Sequence, residues 1–183
     1  MSEYDFAGRL TTQIDGRVLV MEQSFQVPKS LLYRAYSSSD ELSVWWGPQG
    51  WETENLVFDF RPGGLWHYCM TCTDEDQVDF YGMGSWGRAV FHEIVDQERI
   101  VYSDAFSDKD GRIVETMPQM EVVVEFRDEA GEAKLVIQST FEDEEQLNEV
   151  LGMGMMDGYR SQLERLDDHL KEQMRLESQY EEL

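Results

Sequence analysis

The chain has 183 residues and a mass of 21.4 kDa, enough for one domain with a sizeable core. Its 41% hydrophobic and 12% aromatic content argues against disorder. The 38 acids against 15 Lys and Arg give a formal charge of -23, a field that repels phosphate backbones and anionic bilayers and so argues against nucleic acid as a partner.

No apolar run reaches the length needed to insert across a membrane. The acidic start MSEYDFAGRL lacks the apolar centre of a signal peptide. Two cysteines make no disulfide framework, so a reducing cytoplasm is the expected address. The acidity has three readings: a solvated surface, a face for a basic protein partner, or adaptation to high salt. The last draws on the scarcity of Lys relative to Arg.

Residues 1–15 hold no sustained period and read as an N-terminal lead-in or an added edge strand. In RVLVMEQSFQV, Leu19, Met21, Phe25 and Val27 alternate onto one face of a strand. Pro28 suits the first turn of a helix, with Leu32, Ala35 and Tyr36 at helical spacing. SSSDE breaks that helix and caps a second, short one from Ser39 or Asp40, which carries Leu42, Trp45 and Trp46 and stops at Gly47-Pro48.

Six strand-like runs follow, near 51–60, 64–73, 78–94, 99–107, 118–127 and 133–141. Turn-forming clusters such as Pro62-Gly63-Gly64, SDKDG and DEAGE separate them, as in an antiparallel meander. From Asp143 to Gln173 the period becomes helical. Met155, Tyr159, Leu163, Leu166, Leu170 and Met174 form its apolar stripe. The tail 176–183 is expected to fray.

A curved sheet with one apolar face needs a cover, and only the last helix is long enough to supply it. Inside that helix, LGMGMMDGY places Gly152, Gly154 and Gly158, each costing about 1 kcal/mol against Ala. Three reasons suggest themselves: close approach to the sheet, room for a ligand, or an interrupted helix.

Several segments together resemble a known family. FQVPKSLLYRAYSSSDELSVWWGPQGW is similar to the opening of START/SRPBCC domains of the branch containing the C-terminal domain of the heat-shock-protein-90 ATPase activator. FDFRPGGLWHYCM resembles that branch's Arg-Pro-Gly-Gly hairpin, and WGRAVFHEIVDQERIVYSDAFSDKDG its central strand pair. GMMDGYRSQLERLDDHL resembles its closing helix, with Tyr159 where the branch usually has tryptophan.

The resemblance spans residues 17 to 172. It implies an α+β helix-grip (START-like) fold over residues 16–175: a curved antiparallel sheet of six to seven strands wrapped around a long C-terminal helix, with two short helices after the first strand. It also implies an apolar cavity between sheet and helix. Members bind lipids, polyketides or other hydrophobic molecules, and some are cyclases or related enzymes. The co-chaperone namesake carries a further N-terminal domain for which this chain has no room, so chaperone activation is not carried over.

WHYCMTC, residues 66–72, invites a metal or redox reading through Cys69 and Cys72. Strand alternation points residues three apart to opposite faces, and His67 with Cys69 gives only two ligands where zinc needs three or four. A redox pair belongs at a helix N-terminus. No metal and no cofactor are therefore expected. His67, Asp79, Arg88, His92, Asp104 and Glu115 border the expected cavity as candidate acid–base groups, although a charged residue on a strand usually faces water. Arg61 is expected to brace its hairpin.

The expected function is binding of a small hydrophobic or aromatic molecule. Trp66, Tyr68 and Met70 share one strand face. Tyr102, Met155, Tyr159 and, near the mouth, Trp46 complete the expected lining. Alternatives are an enzyme, cyclase- or hydrolase-like, in the same cavity, or a stress-related protein that contacts a chaperone through its acidic surface. A monomer or a homodimer is expected.

Overall fold

In the computed structural model, which describes the backbone of residues 2–6 and the whole of residues 10–182, one sheet carries every described strand. The alternation that marks the third strand survives intact. Leu19, Met21, Gln23 and Phe25 are buried on one face of β3 (Val18–Phe25). Before it come β1 (Ser2–Phe6) and β2 (Leu10–Asp15), and β2 pairs antiparallel with β3. Residues 1–15, read as a lead-in or an edge strand, thus supply two strands of the same sheet. Their period is weak in sequence because Thr11, Thr12 and Gln13 dilute it.

The remaining strands are β4 (Trp51–Phe58), β5 (Leu65–Cys72), β6 (Gly84–Val95), β7 (Arg99–Phe106), β8 (Gln119–Glu129) and β9 (Glu132–Phe141). Their spatial order is β1-β2-β3-β9-β8-β7-β6-β5-β4. Every pairing is antiparallel, and only β3–β9 joins strands distant in sequence. The sheet has nine strands where six to seven were expected, the extra ones being the N-terminal pair. Residues 78–83, assigned above to a strand, form turns instead. Gly82 takes a left-handed φ of 80°, and backbone bonds such as Phe80 N–H to the Gln77 carbonyl close the turn.

Two helices follow β3: α1 (Lys29–Ser37), entered from Pro28, and α2 (Ser39–Trp45). The cap of α2 falls on Ser38, whose hydroxyl accepts from Glu41 N–H, rather than on Ser39 or Asp40. After β9 the expected single helix is broken into α3 (Glu144–Gly152) and α4 (Met155–Glu181). The break sits at Gly154, whose φ of 87° is left-handed, a conformation costing an L residue about 1–2 kcal/mol. The segment 176–181, expected to fray, continues as helix to Glu181.

The backbone of α4 comes closest to α1, α2 and α3. Leu163, Leu166 and Leu170 are buried in the same core cluster as the sheet's Leu19, Met21 and Leu135, each worth about 1.5–3 kcal/mol of burial. At the far end Arg34 of α1 reaches Glu41, Gln173 and Glu177, and His169 Nε2 lies 2.8 Å from Glu41. Burial alone pushes Glu41 up; hydrogen bonds from His169 and Arg34 outweigh it and hold the carboxyl below its usual range. The C-terminal half of α4 is thereby fixed to α1 and α2, and its N-terminal end lines a cavity together with residues of β5, β6 and β7.

Candidate functional site

The wall of the site begins where α2 ends. Gly47, at a left-handed φ of 92°, turns the chain out of the helix into Pro48-Gln49-Gly50-Trp51. Three side chains about two to three turns into α4 hold this loop. Gln162 accepts from Gly47 N–H at 2.8 Å, and Ser161 accepts from Gln49 N–H at 2.8 Å. Arg165 donates to the carbonyls of Val44, Trp46, Gly47, Pro48 and Trp51 at 2.7–3.3 Å. Four of these contacts converge on Nη1, whose two N–H groups are shared among them, while Nη2 reaches Val44, a forked arrangement that a point-like ammonium does not reproduce. Trp46 is set edge-on against Trp45, Trp66 and Tyr68.

Between this loop, the sheet and the start of α4 lies a cavity of about 760 Å³, within the range of small-molecule sites. Trp46, Pro48 and Trp51 line it from the loop, and Tyr68 and Met70 from β5. Met120 and Phe141 line it from β8 and β9, and Val150, Met155 and Tyr159 from α3 and α4. Phe80 and Met153, about half exposed at 51% and 52%, belong to the same lining. Methionine adapts to irregular guests, and the aromatic rings give rigid apolar area.

Two glycines shape the space. A methyl at Gly158, or at Gly154, would meet nothing within 4 Å. Close approach to the sheet is therefore not why they are small; both leave the cavity open, and Gly154 also marks the break in the helix. Gly87 on β6 acts oppositely. It stands opposite Tyr68, and a Cβ there would lie 2.2 Å from the Tyr68 ring. Its missing side chain is what lets the phenol lie against the sheet.

One ionisable group points inward from deep in the wall. Ile100, Tyr102 and Asp104 alternate onto the core face of β7. Asp104 is 8% exposed and lines the cavity. Tyr68 Oη donates to its two carboxyl oxygens at 3.2 and 3.3 Å. Burial raises the carboxyl to about 7, with the bonds from Tyr68 and the Ala105 backbone opposing that rise. Burial likewise pushes the Tyr159 and Tyr68 hydroxyls up, and nearby Asp104 adds to the effect, so both stay neutral.

Of the residues expected to line the cavity, Trp46, Tyr68, Met70, Met155 and Tyr159 do so. Trp66 and Tyr102 do not. They are 2% and 3% exposed and lie behind the wall, Trp66 packed against Trp46, Tyr68 and Tyr102. Trp46 is a buried wall residue rather than one at the mouth.

Among the candidate acid–base groups, Asp79, His92 and Glu115 are exposed. His67 lies on the outer face, where Nε2 is 3.2 Å from the Asp108 carbonyl and Gly111 covers the ring. Arg88 pairs with His67 in register and shares that face. Asp104 alone of the six lines the cavity. Cys69 and Cys72 are free, buried thiols. Cys69 neighbours Thr71 and Cys72 neighbours Gln77, as divergent strand positions require. Arg61 pairs with Asp59 at 2.7 Å within its hairpin.

Comparison with known proteins supplies relatives. A family model described as Activator of Hsp90 ATPase homolog 1-like protein matches residues 26–171. No curated protein matches. A solution structure of a protein from Arthrobacter aurescens is 26% identical at a TM-score of 0.79, covering 88% of this chain and 91% of that one. A crystal structure of a protein from Mycobacterium smegmatis is 23% identical at 0.76, covering 91% and 96%. The AHSA1 protein from Silicibacter pomeroyi is 21% identical at 0.67, covering 85% and 99%. The last two are likenesses of fold. Among the described residues no helix is long and apolar enough to cross a membrane.

Proposed function

We propose, from the premise that this chain belongs to the family of activator of Hsp90 ATPase homolog 1-like proteins, that it binds a small hydrophobic or aromatic molecule between its sheet and α4. The observation that carries this reading is the aromatic- and methionine-lined cavity of about 760 Å³, kept open by Gly154 and Gly158. Gly158, in helical conformation, gives up roughly 1 kcal/mol against Ala without gaining packing, which supports a use for the space beside it. The two unpaired thiols suit a reducing compartment such as the cytoplasm.

Native mass spectrometry of freshly purified protein, followed by tryptophan-fluorescence titration with a panel of lipids and aromatics, tests the proposal. A retained small molecule, or saturable one-to-one binding, is expected. No adduct and no saturable binding across the panel would defeat it.

A second reading has one observation in its favour. A carboxyl raised to about 7 inside a cavity has the protonation balance of a general acid or base. Turnover of a bound carbonyl compound that disappears in Asp104→Asn would support it. Recovery of every bound compound unchanged would count against it.

A further inference from the structure

The charge pattern of the cavity limits what can fill it. Among the described residues its lining contains no Lys, Arg or His. Of the guanidiniums on α4 beside it, Arg165 is occupied by five backbone carbonyls, and Arg160, outside the lining, pairs with Asp157. The acids of the lining are Asp104 inside and Asp157 at the first turn of α4; Asp157 is exposed and has Arg160 at 3.9 Å. An anionic ligand head would find no counter-charge and would face a buried carboxyl. A carboxyl beside the Trp46, Tyr68 and Tyr159 rings has the composition that receives an organic cation, through one charge-assisted hydrogen bond and through ring faces.

Asp104 also has acceptor capacity to spare. Its partners are the Tyr68 hydroxyl, shared between both oxygens at 3.2 and 3.3 Å, and the Ala105 backbone N–H. A carboxylate accepts about four hydrogen bonds.

We infer that the cavity selects hydrophobic amines, with the Asp104 carboxylate as acceptor for a protonated nitrogen, Tyr68 as its positioning partner, and the apolar body lying along Met70, Met155 and Tyr159. The inference rests on the binding function proposed above and names its ligand class. No covalent step is involved; the ammonium donates a hydrogen bond to the carboxylate. Asp104 is the buried carboxyl of the pocket. It is faced by the phenols of Tyr68 from β5, Tyr102 on its own strand and Tyr159 from α4, all held neutral. Its register neighbours Ala89 on β6 and Met120 on β8 carry no charge.

The test uses three twelve-carbon probes below their micelle concentrations: dodecylamine, 1-dodecanol and dodecanoate, titrated against the full chain at pH 8 and followed by tryptophan fluorescence. The amine is expected to bind at least tenfold more tightly than the alcohol, and dodecanoate more weakly than either. Lowering the pH from 8 to 5.5 should erode the amine's advantage as Asp104 takes up its proton. Asp104→Asn should abolish the advantage, whereas Glu164→Gln, which removes an exposed acid of α4 outside the lining, should keep it.

Dodecanoate binding as tightly as dodecylamine would overturn the inference while leaving hydrophobic binding in place. So would an amine advantage that survives Asp104→Asn, because attraction to the acidic surface alone would then explain it. If none of the probes binds, the cavity reading fails and this inference with it.

Discussion

At the scale of single residues, Asp104 has the most consequential surroundings. Its carboxyl is raised by burial to about 7, against 3.8 for an ordinary aspartate. Between those values the folded chain holds a proton that the unfolded chain has released, so stability falls as pH rises from about 4 through 7. The gap corresponds to about 4 kcal/mol, fully expressed above pH 7. Asp104→Asn removes the ionisation and keeps an acceptor for Tyr68. In urea denaturation it should be more stable than the parent by a few kcal/mol at pH 8, with the difference shrinking toward pH 4. An equal difference at both pH values would mean that Asp104 ionises freely in the folded chain.

Asp104 was legible in part. Alternation along β7 puts it on the face of Tyr102, two residues earlier, and that periodicity alone aims it inward. The same periodicity misplaces Tyr102 and Trp66 in the lining. It gives the face of a strand but not the depth, and Trp46 and Tyr68 cover Trp66. Contact between Trp46 and Trp66 depends on the loop after α2, which no local pattern in β5 reveals.

At the scale of elements, the loop 46–51 and the break between α3 and α4 shape the site. No local pattern singles out Arg165, because its five carbonyl acceptors lie at least 114 residues away in sequence. Arg165→Lys keeps the charge but loses the fork. It should cost about 2 kcal/mol in chemical denaturation and shift tryptophan emission to the red as the Trp46 loop loosens. Unchanged stability and emission would mean that the clamp is dispensable.

The three glycines near the helix start were visible as an anomaly, and their roles separate only in three dimensions. Gly154→Ala should destabilise by about 1 kcal/mol, since its backbone is left-handed. Gly158→Ala, in helical conformation with open space beside it, should stabilise by about 1 kcal/mol. Thermal melts of the two variants should move in opposite directions. A loss in both would contradict the open space beside Gly158.

At the scale of the whole molecule, a nine-stranded sheet is covered by a helix pinned at its C-terminal half through Arg34, Glu41 and His169, and open at its N-terminal half. The meander and the long helix were readable because each has a clean period. The N-terminal strand pair was harder to read because three polar residues interrupt its alternation. The cavity itself is what remains where α4 starts late and small.

The central claim is that this space holds a hydrophobic guest. A fluorescence titration of 1-dodecanol into the parent chain and into Gly158→Leu, which fills the space with a good helix former, tests it most directly. One-to-one saturation in the parent, weakened at least tenfold in Gly158→Leu, is the predicted result. Equal affinity in the two proteins, or no saturation in the folded parent, would contradict it.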